Sequence, residues 1–378
     1  MDGYVGRARR FRTSPNKQFA KFIFSVKPVS LKSVLSVASV FLLIFLSSDA
    51  LAHAKWFSAY DLTIPPRSVY FVFTNFYVVL FCAMLLPVIG FAGYADNYLV
   101  SNNIQLKTLL IRSNAWIEPQ FFRVMQVSIF AFFISIFWYG DILLTPELNI
   151  VASDRKWVEV LQIAIAVAVV SRHTAFLSGI GIAVLYAIAA HRYGMFHLLD
   201  YPIFLGVAAY IFIISLFGTS YAALARNILR IFTGITLMWA GIEKLAYPEW
   251  SFPILQSHPG ISFGLDSELY MAAAGFIEFA AAFFLLTGAL ASRMAAAVLL
   301  IFLVSAVPIF GLIDAIGHAL FIAVLILLIF SHNQTSIPAL LPHKTHAQHA
   351  VLNAILFYVA LLLMTAFFYG GHRLYYGK

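Results

Sequence analysis

Residues 294–330 read MAAAVLLIFLVSAVPIFGLIDAIGHALFIAVLILLIF, and the only charged side chain in that stretch is the carboxylate of Asp314, with one imidazole, His318, four residues on. Roughly 20 apolar residues cross a bilayer as a helix, so the stretch is long enough for two passes and reads as spans near 293–311 and 315–331. Working outward, the same pattern recurs near 69–93, 120–139, 157–171, 174–191, 201–219, 229–246, 270–290 and 351–369, and once more in VLSVASVFLLIFLSS, which follows the first 32 residues. The 378-residue chain is 62% hydrophobic and 11% charged, with mean hydropathy +0.89, whereas a soluble domain carries about 25% charged residues. A water-soluble globular fold is excluded. The runs are too long and too uniformly apolar for barrel strands, so the expected fold is an all-α polytopic transmembrane protein of about eleven spans.

The lone cysteine, Cys82, lies inside an apolar run. That excludes an intramolecular disulfide, a CxxC redox pair, a thiolate zinc site and a c-type haem attachment. No Walker A, dinucleotide fingerprint or HExxH is present, which argues against ATP-driven or dinucleotide chemistry in this chain. The net charge of +8 reads as topology, since cytoplasmic loops retain Lys and Arg, and not as nucleic-acid binding. With the N-terminus cytoplasmic and the C-terminus outside, sixteen of the 24 Lys and Arg fall inside. The basic leader and first run form either a signal anchor or a cleaved signal peptide with an A-x-A site near Ala50 to Ala54. Cleavage after Ala52 would make His53 an N-terminal copper ligand, although an ordinary exterior histidine is the favoured reading. Either way Lys55 to Arg67 lies outside, with Trp56, Phe57 and Tyr60 expected to anchor at the membrane interface. The polar stretch 95–119 is expected as a cytoplasmic interfacial helix.

Two segments share an order of landmarks: WYGDILLTPEL at Trp138 to Leu148 and WAGIEKLAYPEW at Trp239 to Trp250. Downstream, Glu159 matches Glu278, Ser171-Arg172 matches Ser292-Arg293, and Gly194 with Asp200 matches Gly311 with Asp314. The reading is a parallel duplication into two tandem four-helix bundles flanked by N-terminal and C-terminal helices. The expected division is 1–54 leader, 55–121 exterior segment with one span and a cytoplasmic link, 122–219 first unit, 220–331 second unit, and 332–378 a histidine-containing cytoplasmic loop with the last span.

The second unit, Leu229 to Phe330, resembles a DoxX-type four-helix membrane unit on Arg230, Gly234, Trp239 to Lys244, Gly275, Glu278, Gly288, Ser292-Arg293, Asp314 and His318. The resemblance covers about a quarter of the chain strongly, and Phe122 to Phe217 weakly. It implies a bacterial inner-membrane protein with a redox-associated role, since similar units include the membrane subunit of a quinone-linked thiosulfate oxidoreductase. The chain departs from the pattern in its apparent duplication and in lacking paired cysteines.

Ionisable groups inside a bilayer are costly and mark function. The candidate catalytic residues are Glu278, Asp314 and His318, the last two sharing one helix face at i and i+4. Glu243, Lys244 and Trp239 are the candidate cofactor-binding residues. Such a set fits a quinone head group, or a divalent metal such as iron, manganese or zinc. The competing reading pairs Lys244 with Glu278 or Glu243 and makes Asp314 a helix cap. A thinner set in the first unit, Asp141, Glu159, Gln162, His197 and Asp200, reads as a decayed copy, with Asp200 capping the helix that Pro202 begins. His332, His343, His346 and His349 read as a solvated loop. Three functions stay open: a membrane subunit of an oxidoreductase with a soluble or membrane redox partner, a membrane carrier or metal-handling protein, and a non-catalytic assembly or scaffold subunit.

Overall fold

The computed structural model describes residues 54–377; the basic leader, the first apolar run and His53 lie outside the described residues. Polar side chains set where the helices begin. Ser68 accepts from the Phe71 amide (3.1 Å) to open α1 (Val69–Thr74), and Asn75 accepts from the Tyr77 amide (2.9 Å) to open α2 (Phe76–Asn102). One residue past the end of α2, Asn103 accepts from the Leu106 amide (2.9 Å) and starts α3 (Ile104–Tyr139). Each of these oxygens satisfies an amide that the helix itself leaves orphaned. The stretch 95–119 is therefore no separate interfacial link: it is the last turns of α2 and the first half of a 36-residue α3.

The chain continues as α4 (Arg155–Val170), α5 (Ala175–Tyr193), the short α6 (Met195–Leu198), α7 (Ile203–Phe217), α8 (Ala222–Ala246), the short α9 (Phe252–Ser257), α10 (Ser267–Thr287), α11 (Leu290–Phe310), α12 (Leu312–Phe330), the short α13 (Ile337–Leu340) and α14 (His346–Tyr376). No strand forms among the described residues. Among the described residues, seven helices are long and apolar enough to cross a membrane: α2, α3, α5, α10, α11, α12 and α14. α4 and α7, at 16 and 15 residues, fall below that length, and α8 carries Arg226, Arg230, Glu243 and Lys244.

From α3 onward each long helix packs on the next, and α12 returns to α3, so eight helices follow one another in a closed order. α2 and α14 pack on each other and against α10 and α8 respectively. Short links make consecutive helices antiparallel neighbours. α3, α5, α8 and α11 thus finish where α4, α7, α10 and α12 begin, here called the Lys55 end, with the Arg230 end opposite. The α8–α10 crossing is a close one. A Cβ on Gly241 would lie 2.8 Å from the Gly275 carbonyl oxygen, and one on Gly275 would lie 2.9 Å from that of Gly241. Only hydrogen at both positions lets the backbones approach this closely.

The C-terminal histidines depart from the expected loop. Thr345 and Gln348 form a capping box that starts α14 at His346, so His346 and His349 are helical; His349 is buried, and His346 lies edge-on to Tyr94 and Tyr98.

Candidate functional site

Residues 54–68 are laid into the Lys55 end and held there by backbone contacts. Arg67 donates its amide to the Ala246 carbonyl (3.0 Å), and its own carbonyl accepts from the Tyr369 hydroxyl (2.8 Å). Its guanidinium pairs in fork geometry with Glu268 (2.5 and 2.7 Å) and also with Glu249. Further in, the Ile64 carbonyl accepts from Tyr247 (2.8 Å), the Leu62 carbonyl lies 2.9 Å from His372 Nε2, and the Ser58 hydroxyl donates to the Trp250 carbonyl (2.6 Å). Trp56, Phe57 and Tyr60 accordingly make their ring contacts inward. The Trp56 ring lies 4.5 Å from that of His318 and over Gly317, where a Cβ would overlap it. Phe57 stacks on Phe310, and Tyr60 packs beside His197 and Trp250.

This segment delivers Lys55 into a nest of carboxylates. Its buried ammonium pairs with Asp200 and, at 2.6 Å, with Glu243. Asp200 and Tyr201 lie on the link between α6 and α7, after the turn from α5 into α6 that Gly194 makes at φ +94°. The expected capping role of Asp200 belongs instead to Thr236 of α8, whose hydroxyl accepts from the Ile203 amide (2.9 Å). That leaves the Asp200 carboxylate for Lys55.

Glu147 completes the nest. It sits on the α3–α4 link, a tight loop closed by the Leu143 amide to the Leu148 carbonyl and the Ile150 amide to the Asp141 carbonyl, both 2.7 Å. Glu147 Oε1 accepts from the Tyr201 hydroxyl (2.5 Å) and lies 2.9 Å from His197 Nε2. Trp56 Nε1 donates to the Tyr201 oxygen (3.1 Å), and the Tyr60 hydroxyl lies 3.4 Å from the same His197 nitrogen. An oxygen or nitrogen from each of Glu147, His197 and Asp200 lies within 4.8 Å of the others, a set able to hold a metal ion.

The electrostatics follow from burial and from neighbouring charge. Burial and the Glu243 carboxylate push Asp200 well above the ordinary carboxylate range, against the pull of Lys55. Burial alone would lower the Lys55 ammonium, but Asp200, Glu243 and Glu147 hold it above its ordinary value. Burial opposes ionisation of Glu147 too, yet the His197 hydrogen bond and the Lys55 charge keep it below its ordinary value. In physical terms, a desolvated carboxylate ionises where donors and cations favour its charged form.

The residues expected to form one cluster divide. Glu243 and Lys244 are consecutive, so they leave α8 about 100° apart: Glu243 turns to Lys55, while Lys244 meets Glu278 on α10 at 2.5 Å. Asp314 and His318 do share a face of α12, at 3.1 Å, with the His318 ring against Trp56. Asp314 makes no cap hydrogen bond at the start of α12. Trp239 packs into the core against Phe196 and Phe368. In the first unit, Asp141 and Glu159 pair with Arg155 near the surface, and Gln162 donates to the Ile142 carbonyl (2.7 Å). His197 and Asp200 stand instead at the centre of the nest. Lys55, Glu147, Tyr60 and Tyr201 were not among the expected site residues; the signal available was the Pro146-Glu147 pair that aligns with Pro248-Glu249.

Residues 225–313 match the DoxX family model, so the part of the chain from α8 to the first residues of α12 is a DoxX-like membrane unit. Glu243, Lys244 and Glu278 fall within the match, and Glu147, His197 and Asp200 outside it. No curated protein matches the chain, and no solved structure does.

Proposed function

We propose that this chain is a multi-pass subunit of a redox or quinone-linked system in a bacterial inner membrane, with the Lys55 end outside. In this reading the nest holds a quinone head group and moves its protons. One observation supports it above the rest: a continuous hydrogen-bonded row runs from half-buried Tyr60 through His197 and Glu147 to buried Tyr201 and on to Trp56, with steps of 3.4, 2.9, 2.5 and 3.1 Å. A bound quinone takes up two electrons and two protons on reduction. Glu147, which accepts from Tyr201, is the base at the inner side of the row. Glu147 and the Tyr60 hydroxyl both face His197 Nε2, so that nitrogen takes the proton from Glu147 and then gives it to the Tyr60 oxygen as that hydroxyl, nearest the surface, releases its own proton outward. Lys55 and the Trp56 indole are cationic and neutral donors suited to carbonyl oxygens. A redox partner, soluble or in the membrane, exchanges the electrons. The DoxX-like unit and the apolar helices support the membrane setting.

The test is solvent extraction and chromatography of quinone from the detergent-purified wild type and Tyr201→Phe, alongside quinone turnover in membranes. Quinone retained by the wild type, with turnover reduced about tenfold or more in the variant, supports the reading. A quinone-free wild type, with turnover unchanged in Tyr201→Phe, overturns it.

A further inference from the structure

The same end of the molecule carries an imbalance that a proton row does not require. Glu147, Asp200 and Glu243 bring three carboxylates together, and Lys55 is the one cation paired with them among the described residues. Three carboxyl groups thus face a single ammonium. The side chains of Lys55, Asp200 and Glu147 are 1%, 3% and 1% exposed, so water does not screen the excess. Buried charge persists only when it is paired or bound to a metal. A second observation points into the nest: Glu147 Oε2 is buried and has no hydrogen-bond partner, although a buried acceptor normally finds one. The third is the ligand set itself, one imidazole and two carboxylates whose atoms lie within 4.8 Å of one another.

We propose that Glu147, His197 and Asp200 bind a divalent cation of the manganese, iron or zinc class. The inference stands on this ligand set and not on the quinone reading; with the ion bound, Glu147 and His197 hold it in place of the proton row. Mixed imidazole and carboxylate ligation suits these ions and disfavours Cu(I). The charges then close: a divalent ion and one ammonium balance three carboxylates. Lys55 is shared between Asp200 and Glu243, so metal binding needs it to release only Asp200 and rest on Glu243. Lys55 is therefore the competitor of the metal, a tethered cation on the edge of the site.

The experiment is stripping with a chelator, then incubation of the purified full chain with Mn²⁺ or Zn²⁺ alone. Bound metal is counted by inductively coupled plasma mass spectrometry and affinity is read by calorimetry. Wild type, Glu147→Gln and Lys55→Met are compared. The expected result is one metal per wild-type chain, loss of binding in Glu147→Gln, and affinity raised about tenfold or more in Lys55→Met, where the competing ammonium is gone. Should Lys55→Met not fold, wild type against Glu147→Gln decides alone. No stoichiometric metal in the wild type or in folded Lys55→Met, or metal bound equally by wild type and Glu147→Gln, overturns the proposal.

Discussion

The two ends of the molecule bury charge in different ways. At the Arg230 end the guanidinium donates to the Ser292 and Ser331 hydroxyls (2.5 and 2.8 Å) and reaches the Leu285 carbonyl, close to where α10 and α12 finish. Asn333 beside it donates to the Leu286 and Gly288 carbonyls (2.8 and 2.9 Å). Cations and amides there meet the orphan carbonyls and negative dipole ends that helix termini leave. The Lys55 end does more than satisfy its backbone: carboxyl groups outnumber the cation paired with them. Burial of a charge is therefore a poor mark of function by itself; an excess that the architecture does not need is a better one.

The comparison breaks most visibly at Lys55. Removing one partner of a buried ion pair costs about 3–5 kcal/mol, so Lys55→Met should lower the thermal stability of the detergent-purified protein by that order. Adding Asp200→Asn and Glu243→Gln should restore much of it, because the remaining charges go with the lysine. Equal loss in single and triple variants, read by the same melting experiment, would show that Lys55 acts through packing alone. Arg230→Met comes next: it strips donors from buried hydroxyls and carbonyls at about 1–3 kcal/mol for each group left unsatisfied. It should reduce melting temperature and leave metal binding at the opposite end untouched.

Smaller effects sharpen the contrast. Asp96 of α2 accepts from the Ala289 and Ala291 amides (2.9 and 2.7 Å) and caps α11 from another helix. Asp96→Ala should cost about 1 kcal/mol, as other lost caps do, measured by thermal unfolding. The Lys244–Glu278 pair joins α8 to α10 at 2.5 Å with side chains 16% and 14% exposed, so breaking it should lower the melting temperature less than breaking the more deeply buried Lys55–Asp200 pair. Lys244→Met should leave metal and quinone nearly unchanged, and a large loss of either would return the site to the α8–α10 side.

The sequence disclosed the membrane-spanning helices because apolar runs of this length have no other stable form. It also disclosed the DoxX-like unit and the share of Glu243 in a polar site. It did not disclose where that site lies, since the deciding contacts join distant positions. Lys55 meets Asp200 across 145 residues, and Trp56 meets Tyr201 across the same separation. Nothing local to Lys55 marks it as buried, and an exterior lysine after an anchor reads as solvated. Asp200 before Tyr201-Pro202 carries a good capping signal, but Thr236 on a neighbouring helix takes the role. Glu243 and Lys244 read as one site because they are adjacent, yet helical geometry sends them to different partners.

The central claim is that the carboxylates at the Lys55 end serve chemistry more than architecture, and Glu147→Gln tests it most directly. The amide keeps the shape of the side chain and can still accept from Tyr201 while losing the charge. Unfolding and quinone turnover measured on the same preparation should show stability held within about 1 kcal/mol and turnover lost. Stability falling as far as in Lys55→Met, or turnover unchanged in a folded variant, would contradict the account.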